Sequence, residues 1–236
     1  MKVRGHRECK ECGNRWTYYE TGTVSCPACG SHHSVGIDDD RSLHTATTAT
    51  LDLTPLRGAI DSEPVARLAD RTVERVRDLT RGYGFIDAGR LQTLDDTYLA
   101  AMELKYVADE LTRRVNHTDD EEWYFTQLLR ADEGARPDPA DVPQTMRALR
   151  GLGYANAVRA YRSDLRTYLG EHPDETVDGV LERLGIHVRR VQALDGDVPP
   201  RESERLVAAA RSIGGYLADG DERELTVAEQ RLDSLE

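Results

Sequence analysis

Four cysteines, all within the first 29 residues, constrain this chain more than any other feature it carries. They stand as Cys9-x2-Cys12 and Cys26-x2-Cys29, separated by thirteen residues, and none is left over. Two residues between cysteines let one tight turn aim both sulfurs at a point, and two such turns facing each other form a tetrahedral thiolate cage. Disulfides are the competing use of such pairs. The start, MKVRGHRECK, lacks the apolar stretch of a secretory signal, so metal binding takes precedence over a disulfide framework. Each pair runs on into glycine, as Cys12-Gly13 and Cys29-Gly30, where positive φ closes the turn behind the metal, and Pro27 stiffens the second turn. Residues 15–19 and 24–26 are rich in aromatic and β-favouring side chains. They are expected as strands joined by a turn at residues 20–23, with Trp16 and Tyr18 alternating onto one face.

The strings C-K-E-C-G, W-T-Y-Y-E and C-P-A-C-G-S resemble the zinc ribbon of archaeal transcription factor B type proteins, over about residues 3–37. The start is also similar to that of an uncharacterised family of salt-loving archaeal zinc-ribbon proteins with helical bodies. The resemblance implies one structural Zn2+ held by Cys9, Cys12, Cys26 and Cys29. In transcription factor B the ribbon precedes cyclin-like repeats; this sequence has no internal repeat, which departs from a general transcription-factor role. Iron is the alternative ion, because rubredoxin-type electron carriers use the same four-thiolate cage and rubrerythrins have a similar spacing. A rubrerythrin also needs a di-iron bundle with Glu-x-x-His pairs. The residues three before the seven histidines are Val3, Cys29, Gly30, Arg41, Arg114, Leu169 and Leu184, so that bundle is excluded. His6, His32 and His33 read as polar loop residues, since four thiolates already complete the shell.

Net charge argues about partners and surroundings. Acids outnumber bases 43 to 31 for a formal −12, lysine occurs only at Lys2, Lys10 and Lys105, and there are two phenylalanines. Such a chain has no global basic footprint for phosphates, and excess carboxylate with little lysine looks like the composition of salt-loving archaeal cytoplasm. No run approaches the ~18 apolar residues of a membrane helix, so the expectation is a soluble, cytoplasmic protein without membrane contact.

From residue 38 to 62 threonine, serine and aspartate dominate and helical periodicity is absent, which predicts a linker or extended strap, with a short strand over 47–53. Helical stripes follow: Val65, Leu68, Ala69, Val76 and Leu79, with Glu63 and Arg67 as a supporting pair; then a break at Gly82-Tyr83-Gly84. A long helix over residues 88–115 has two apolar faces, Leu91, Leu94, Tyr98 and Met102 against Leu104, Ala108, Leu111 and Val115, and is therefore central. Thr118-Asp119-Asp120-Glu121 has the form of a capping box. Another helix spans 144–170, bent at Gly151 and Gly153, and two or three more run to the end. Arg159, Arg162 and Arg166 form a row that reads as a solvated face laced with ion pairs, Asp164 among its partners. The fold class is mainly α: a small β zinc ribbon (1–37), a strap (38–62) and an α-helical bundle (63–236).

No catalytic constellation is present: no Gly-x-Ser-x-Gly elbow, no phosphate-binding loop ending in lysine, no His-Glu-x-x-His. The expected role is a non-enzymatic, zinc-binding adaptor or regulatory protein, linked to transcription through its ribbon, with the helical body giving a second contact or an oligomer interface. A protein partner ranks first, reached through Trp16 or Tyr18; nucleic acid is second and electron transfer third. Residues 1–36 carry +2 before any metal is counted, leaving −14 for the rest.

Overall fold

The N-terminal strands carry little apolar surface, and the chain uses them only as short antiparallel pairs. The computed structural model describes residues 1–235 of the 236. β1 (Lys2–Val3) leads into β2 (His6–Cys9), which pairs with β3 (Arg15–Thr17) on one side and β4 (Ser34–Gly36) on the other. The expected strand at 24–26 and turn at 20–23 do not form. Instead α1 (Tyr18–Thr21) makes a single turn, because Thr17 Oγ1 accepts from the Tyr19 amide at 3.2 Å and Gly22, at φ +63°, ends it. Trp16 and Tyr18 consequently sit on different elements.

β5 (Ser42–Leu43) pairs back onto β1, and α2 (Thr54–Arg57) follows; no strand forms over 47–53. Residues 42–57 do more than connect. Thr45 and Ala46 donate their amides to Ile86 O at 2.8 and 3.0 Å, and Thr45 Oγ1 donates to Asp164 at 2.7 Å. Asp164 also accepts from the Phe85 amide at 2.5 Å. Gly84 permits this crossing, since a Cβ there would lie 2.1 Å from Thr45 O. Leu53 and Leu56 are buried in the helical core, and the Leu53 amide donates to Asp132 at 2.7 Å.

α3 (Val65–Gly82) forms on the expected stripe, with Glu63 and Arg67 3.7 Å apart. The helix expected over 88–115 begins later. β6 (Ile86–Asp87) and β7 (Arg90–Leu91) make a hairpin through Ala88 and Gly89, both at positive φ, before α4 (Asp96–Arg113) starts on its cap, Asp95. Val115 lies beyond the helix end and is exposed. α4 is central as its two faces imply: Tyr98, Leu99 and Met102 enter one core, while Ala100, Leu104, Ala108 and Leu111 enter the other. α5 (Asp119–Leu128) opens on the Thr118/Glu121 capping box, satisfying two amides reciprocally.

α6 (Arg147–Leu169) runs on continuously through its glycines. They serve close approach: a Cβ on Gly151 would meet Gly196 O at 2.1 Å, and one on Gly153 would meet Glu103 Cα at 2.9 Å. α7 (Glu175–Ala193), α8 (Pro200–Asp219) and α9 (Glu222–Asp233) complete the bundle. The fold is mainly α with a small N-terminal β part, and no described helix is long and apolar enough to cross a membrane. The arginine row of α6 is not laced with ion pairs: Asp164 faces the strap, and Arg159, Arg162 and Arg166 have no carboxylate partner among the described residues.

Between the two cores lies a buried ionic group. Glu103 and Arg150 are fully buried with 3.8 Å between Nη1 and Oε1; Tyr124 donates to Glu103, and Arg150 also meets Glu204 and donates to Pro137 O at 3.1 Å. Burial raises the Glu103 carboxyl despite Arg150 beside it. Arg150→Met should therefore destabilise the protein by about 3–5 kcal/mol in chemical denaturation, since it strands the buried Glu103 carboxyl, and the Glu103→Gln/Arg150→Met pair should recover part of that loss.

A second prediction concerns the strap. His44 is buried, packs on the rings of Tyr18 and Tyr19, and accepts the Ala88 amide at Nδ1 at 3.3 Å. Burial lowers its imidazole below the ordinary 6.5, opposed by Asp87 at 3.3 Å. The unfolded chain then binds a proton that the folded chain resists. The contribution of His44 is present above pH 6.5 and is lost as pH falls through that value. Hydrogen exchange of the Thr45 and Ala46 amides should accelerate relative to the helical core below that pH, and His44→Gln should abolish the pH dependence.

Candidate metal centre

Two backbone knuckles of the same design place the cysteines. In the first, the Gly13 amide donates to Cys9 O at 3.0 Å and the Cys9 amide to Asn14 O at 2.9 Å; in the second, Gly30 donates to Cys26 O and Cys26 to Ser31 O, both at 2.8 Å. Gly13 and Gly30 have φ of +73° and +72°, the left-handed conformation that closes each knuckle and that other residues adopt at a cost.

All four Sγ atoms lie within 4.8 Å of one another, with Cys9 to Cys29 and Cys12 to Cys26 both at 3.6 Å. A tetrahedral ion with bonds of about 2.3 Å to sulfur needs edges of roughly 3.8 Å, so the arrangement is close to the size of such a cage. Cys9 and Cys26 are buried, Cys12 and Cys29 exposed. The cluster can hold a metal ion.

Amide hydrogens prepare the sulfurs unequally. Cys9 is lowered below the ordinary thiol range by the amides of Cys12 and Glu11. At Cys26 burial pushes upward, but the amides of Cys29 and Ala28 outweigh it and bring the thiol to about 7. Cys29 accepts the Ser31 amide, yet the neighbouring sulfurs of Cys12 and Cys9, with burial, push it up to about 12. Four thiolates at this distance repel one another, and a divalent cation relieves that repulsion, leaving a formal −2.

Apolar packing contributes little here. Of the first 52 residues only Gly5, Cys9, Cys26 and His44 are buried. Val24, Val35 and Ile37 are exposed. The three nearby histidines have partners outside the cluster: His6 binds Asp38 at 2.7 Å, His32 binds Ser25 at 2.9 Å and His33 binds Glu11 at 2.9 Å. Arg15 is held by Glu8 and Arg7 by Ser34. Trp16 is half-buried, donating Nε1 to Thr23 O at 3.2 Å, and Tyr18 is half-buried against His44, so neither projects freely.

The family model of DUF7117, a family of unknown function, matches residues 1–232. The chain belongs to that family. No curated protein and no solved structure matches it. The match runs through both cysteine knuckles and the helical body, so the two parts occur together as a DUF7117 unit.

Sequence reasoning missed Glu103, Arg150 and His44 and assigned Asp164 to the wrong partners, because the true ones lie far away along the chain. Chelation, or Cys26→Ser, should disorder residues 1–37 in NMR spectra and raise proteolysis there, with helical circular dichroism changed little, because the buried residues of both helical cores begin at Leu53.

Proposed function

We propose that Cys9, Cys12, Cys26 and Cys29 hold one Zn2+ as a closed structural site, and that the protein is a non-enzymatic adaptor whose ribbon presents a rigid surface to another protein. The observation that carries this reading is the absence of apolar burial around the cluster: the only buried apolar side chains of the first 52 residues are Cys9 and Cys26. A module so built takes its folding energy from metal–thiolate bonds. Four thiolates leave no open coordination position, which favours shape over catalysis. Zinc suits that role, having no redox chemistry; iron in the same cage would make the module an electron carrier.

The surface offered to a partner differs from the one the sequence suggests. Val24, Val35 and Ile37 are exposed on the module, whereas Trp16 and Tyr18 are half-buried and contribute edges. Three exposed aliphatic side chains on a metal-braced scaffold form a small apolar contact suited to a transient protein interface. The acidic composition favours a salt-loving setting, so the tests belong in concentrated as well as dilute salt.

Two measurements check the reading. Elemental analysis of protein expressed without added metal should give one zinc per chain; a red, iron-containing product with reversible one-electron redox replaces the adaptor with a rubredoxin-like carrier. Affinity capture should recover protein partners that are lost with Cys26→Ser or Val35→Asp and survive nuclease. Partners indifferent to both substitutions would remove the ribbon from the interaction.

A further inference from the structure

Six cationic side chains from three helices meet where no carboxylate answers them. α3 gives Arg77 and Arg81, α4 gives Lys105, and α6 gives Arg159, Arg162 and Arg166. They line two adjoining clefts of about 400 and 630 Å³ that share Arg159 and Ala160, and neither cleft has an Asp or Glu in its wall. Arg57, Arg71, Arg114, Arg136, Arg190 and Arg211 of the same −12 chain each have a carboxylate partner, whereas other arginines, such as Arg75 and Arg205, lie singly on the surface. Among the described residues none of the six groove cations has a carboxylate partner. Six such charges on one face of a protein with acid to spare favour an external anion there.

The groove is also built. Arg162 lies across Gly185 of α7, where a Cβ would come within 2.6 Å of its guanidinium carbon, and it donates Nε to Leu181 O at 2.6 Å. That bond fixes the guanidinium while leaving its other donors for a ligand. Burial lowers Arg162 below the usual arginine range, and Arg166 and Arg189 push it the same way, which Glu182 offsets only in part. Asp164, the acid nearest in sequence, is committed to Thr45 and the Phe85 amide.

Shape selects among anions. A small-ligand pocket encloses most of its guest against apolar walls. Here Tyr98 is the only aromatic residue lining either cleft and is 2% exposed, so no base or other ring can stack on it. The row from Arg159 to Arg166 extends about 10 Å along α6 at 1.5 Å per residue, about three steps of a duplex strand at 3.4 Å each. Arginine forks on successive phosphates with no contact to bases is the pattern of sequence-independent backbone binding.

We propose that the groove of Arg77, Arg81, Lys105, Arg159, Arg162 and Arg166 binds the phosphate backbone of a nucleic acid without reading its bases. This does not rest on the zinc reading, and it assigns the second contact of the adaptor to the helical body. The acidic remainder of the surface repels the same polymer, so contact is confined to this face and is strongly salt-dependent.

The test is fluorescence anisotropy of the full chain with a labelled oligonucleotide, in single-stranded and duplex forms, over a series of salt concentrations. Binding should weaken with salt by a log–log slope of about 0.7 per contacted phosphate for the single strand and about 0.9 for the duplex, and the tighter affinity at matched salt identifies the preferred form. Arg159→Glu/Arg166→Glu, at two exposed positions, should weaken binding about tenfold or more and flatten the slope, with circular dichroism unchanged. Arg201→Glu/Arg223→Glu makes the same change of net charge outside the groove and should shift affinity less than about twofold. Cys26→Ser should bind normally. Equal weakening by both arginine pairs, or loss of binding with Cys26→Ser alone, would overturn the assignment. So would competition by tripolyphosphate as effective per phosphate as by the oligonucleotide, since that fits a small phosphoanion site.

Discussion

Bringing four sulfurs to one point is the constraint from which the N-terminal module of this structure, residues 1–37, follows. The three strands of the ribbon contribute three or four residues each, too few to bury a core; Val35 is exposed, Trp16 is half-buried and only Cys9 is buried. What remains is geometry: two knuckles closed by left-handed glycines, sulfurs at tetrahedral spacing, and amide hydrogens directed at the buried sulfur of each pair. A cation in such a shell would offset the repulsion between ionised sulfurs, since the same closeness that permits coordination makes them repel. The two glycines and the cysteine spacing are therefore one device.

The helical body solves a different problem, that of attaching a small cysteine-clustered module to a bundle without extensive apolar contact. Asp164 of α6 accepts from both the strap, at Thr45, and the loop, at Phe85, so that one carboxylate ties residues 119 and 79 positions away. Gly84 supplies the clearance, and His44 is wedged between Tyr18 and Tyr19 and the hairpin of β6 and β7. Using Asp164 in this way leaves the arginines of α6 without their nearest acid. The tie between ribbon and body and the open charge of the groove thus share a cause in the orientation of one side chain. Lys2 and Glu171, paired at 2.6 Å on the surface, add only a weak further link.

How far the sequence could be read depended on whether each feature was local. Cysteine spacing, the glycines behind it, the Thr118 capping box and the apolar stripes of the helices are written within a few residues, and each appears in the structure, apart from the ends of the α4 stripes at Leu91 and Val115. The strands β2 and β4 are invisible because His6-Arg7-Glu8-Cys9 and Ser34-Val35-Gly36 have no apolar alternation; their pairing is set by the knuckles. The hairpin before α4 turns on Ala88 at positive φ, a conformation alanine does not advertise. Glu103, Arg150 and Asp164 look like ordinary surface charges in a sequence so rich in them. Only partners 40 to 120 positions distant, roughly the scale of the whole fold, reveal that the first two are buried and the third is diverted from its arginines.

The most direct test of the central claim is X-ray absorption at the metal edge of protein purified without added metal. Four sulfur scatterers at about 2.3 Å, with no nitrogen or oxygen in the first shell, are the predicted result for a closed zinc cage of Cys9, Cys12, Cys26 and Cys29. A first shell containing nitrogen or oxygen, or fewer than four sulfurs, would contradict it and return an open, reactive position to the site.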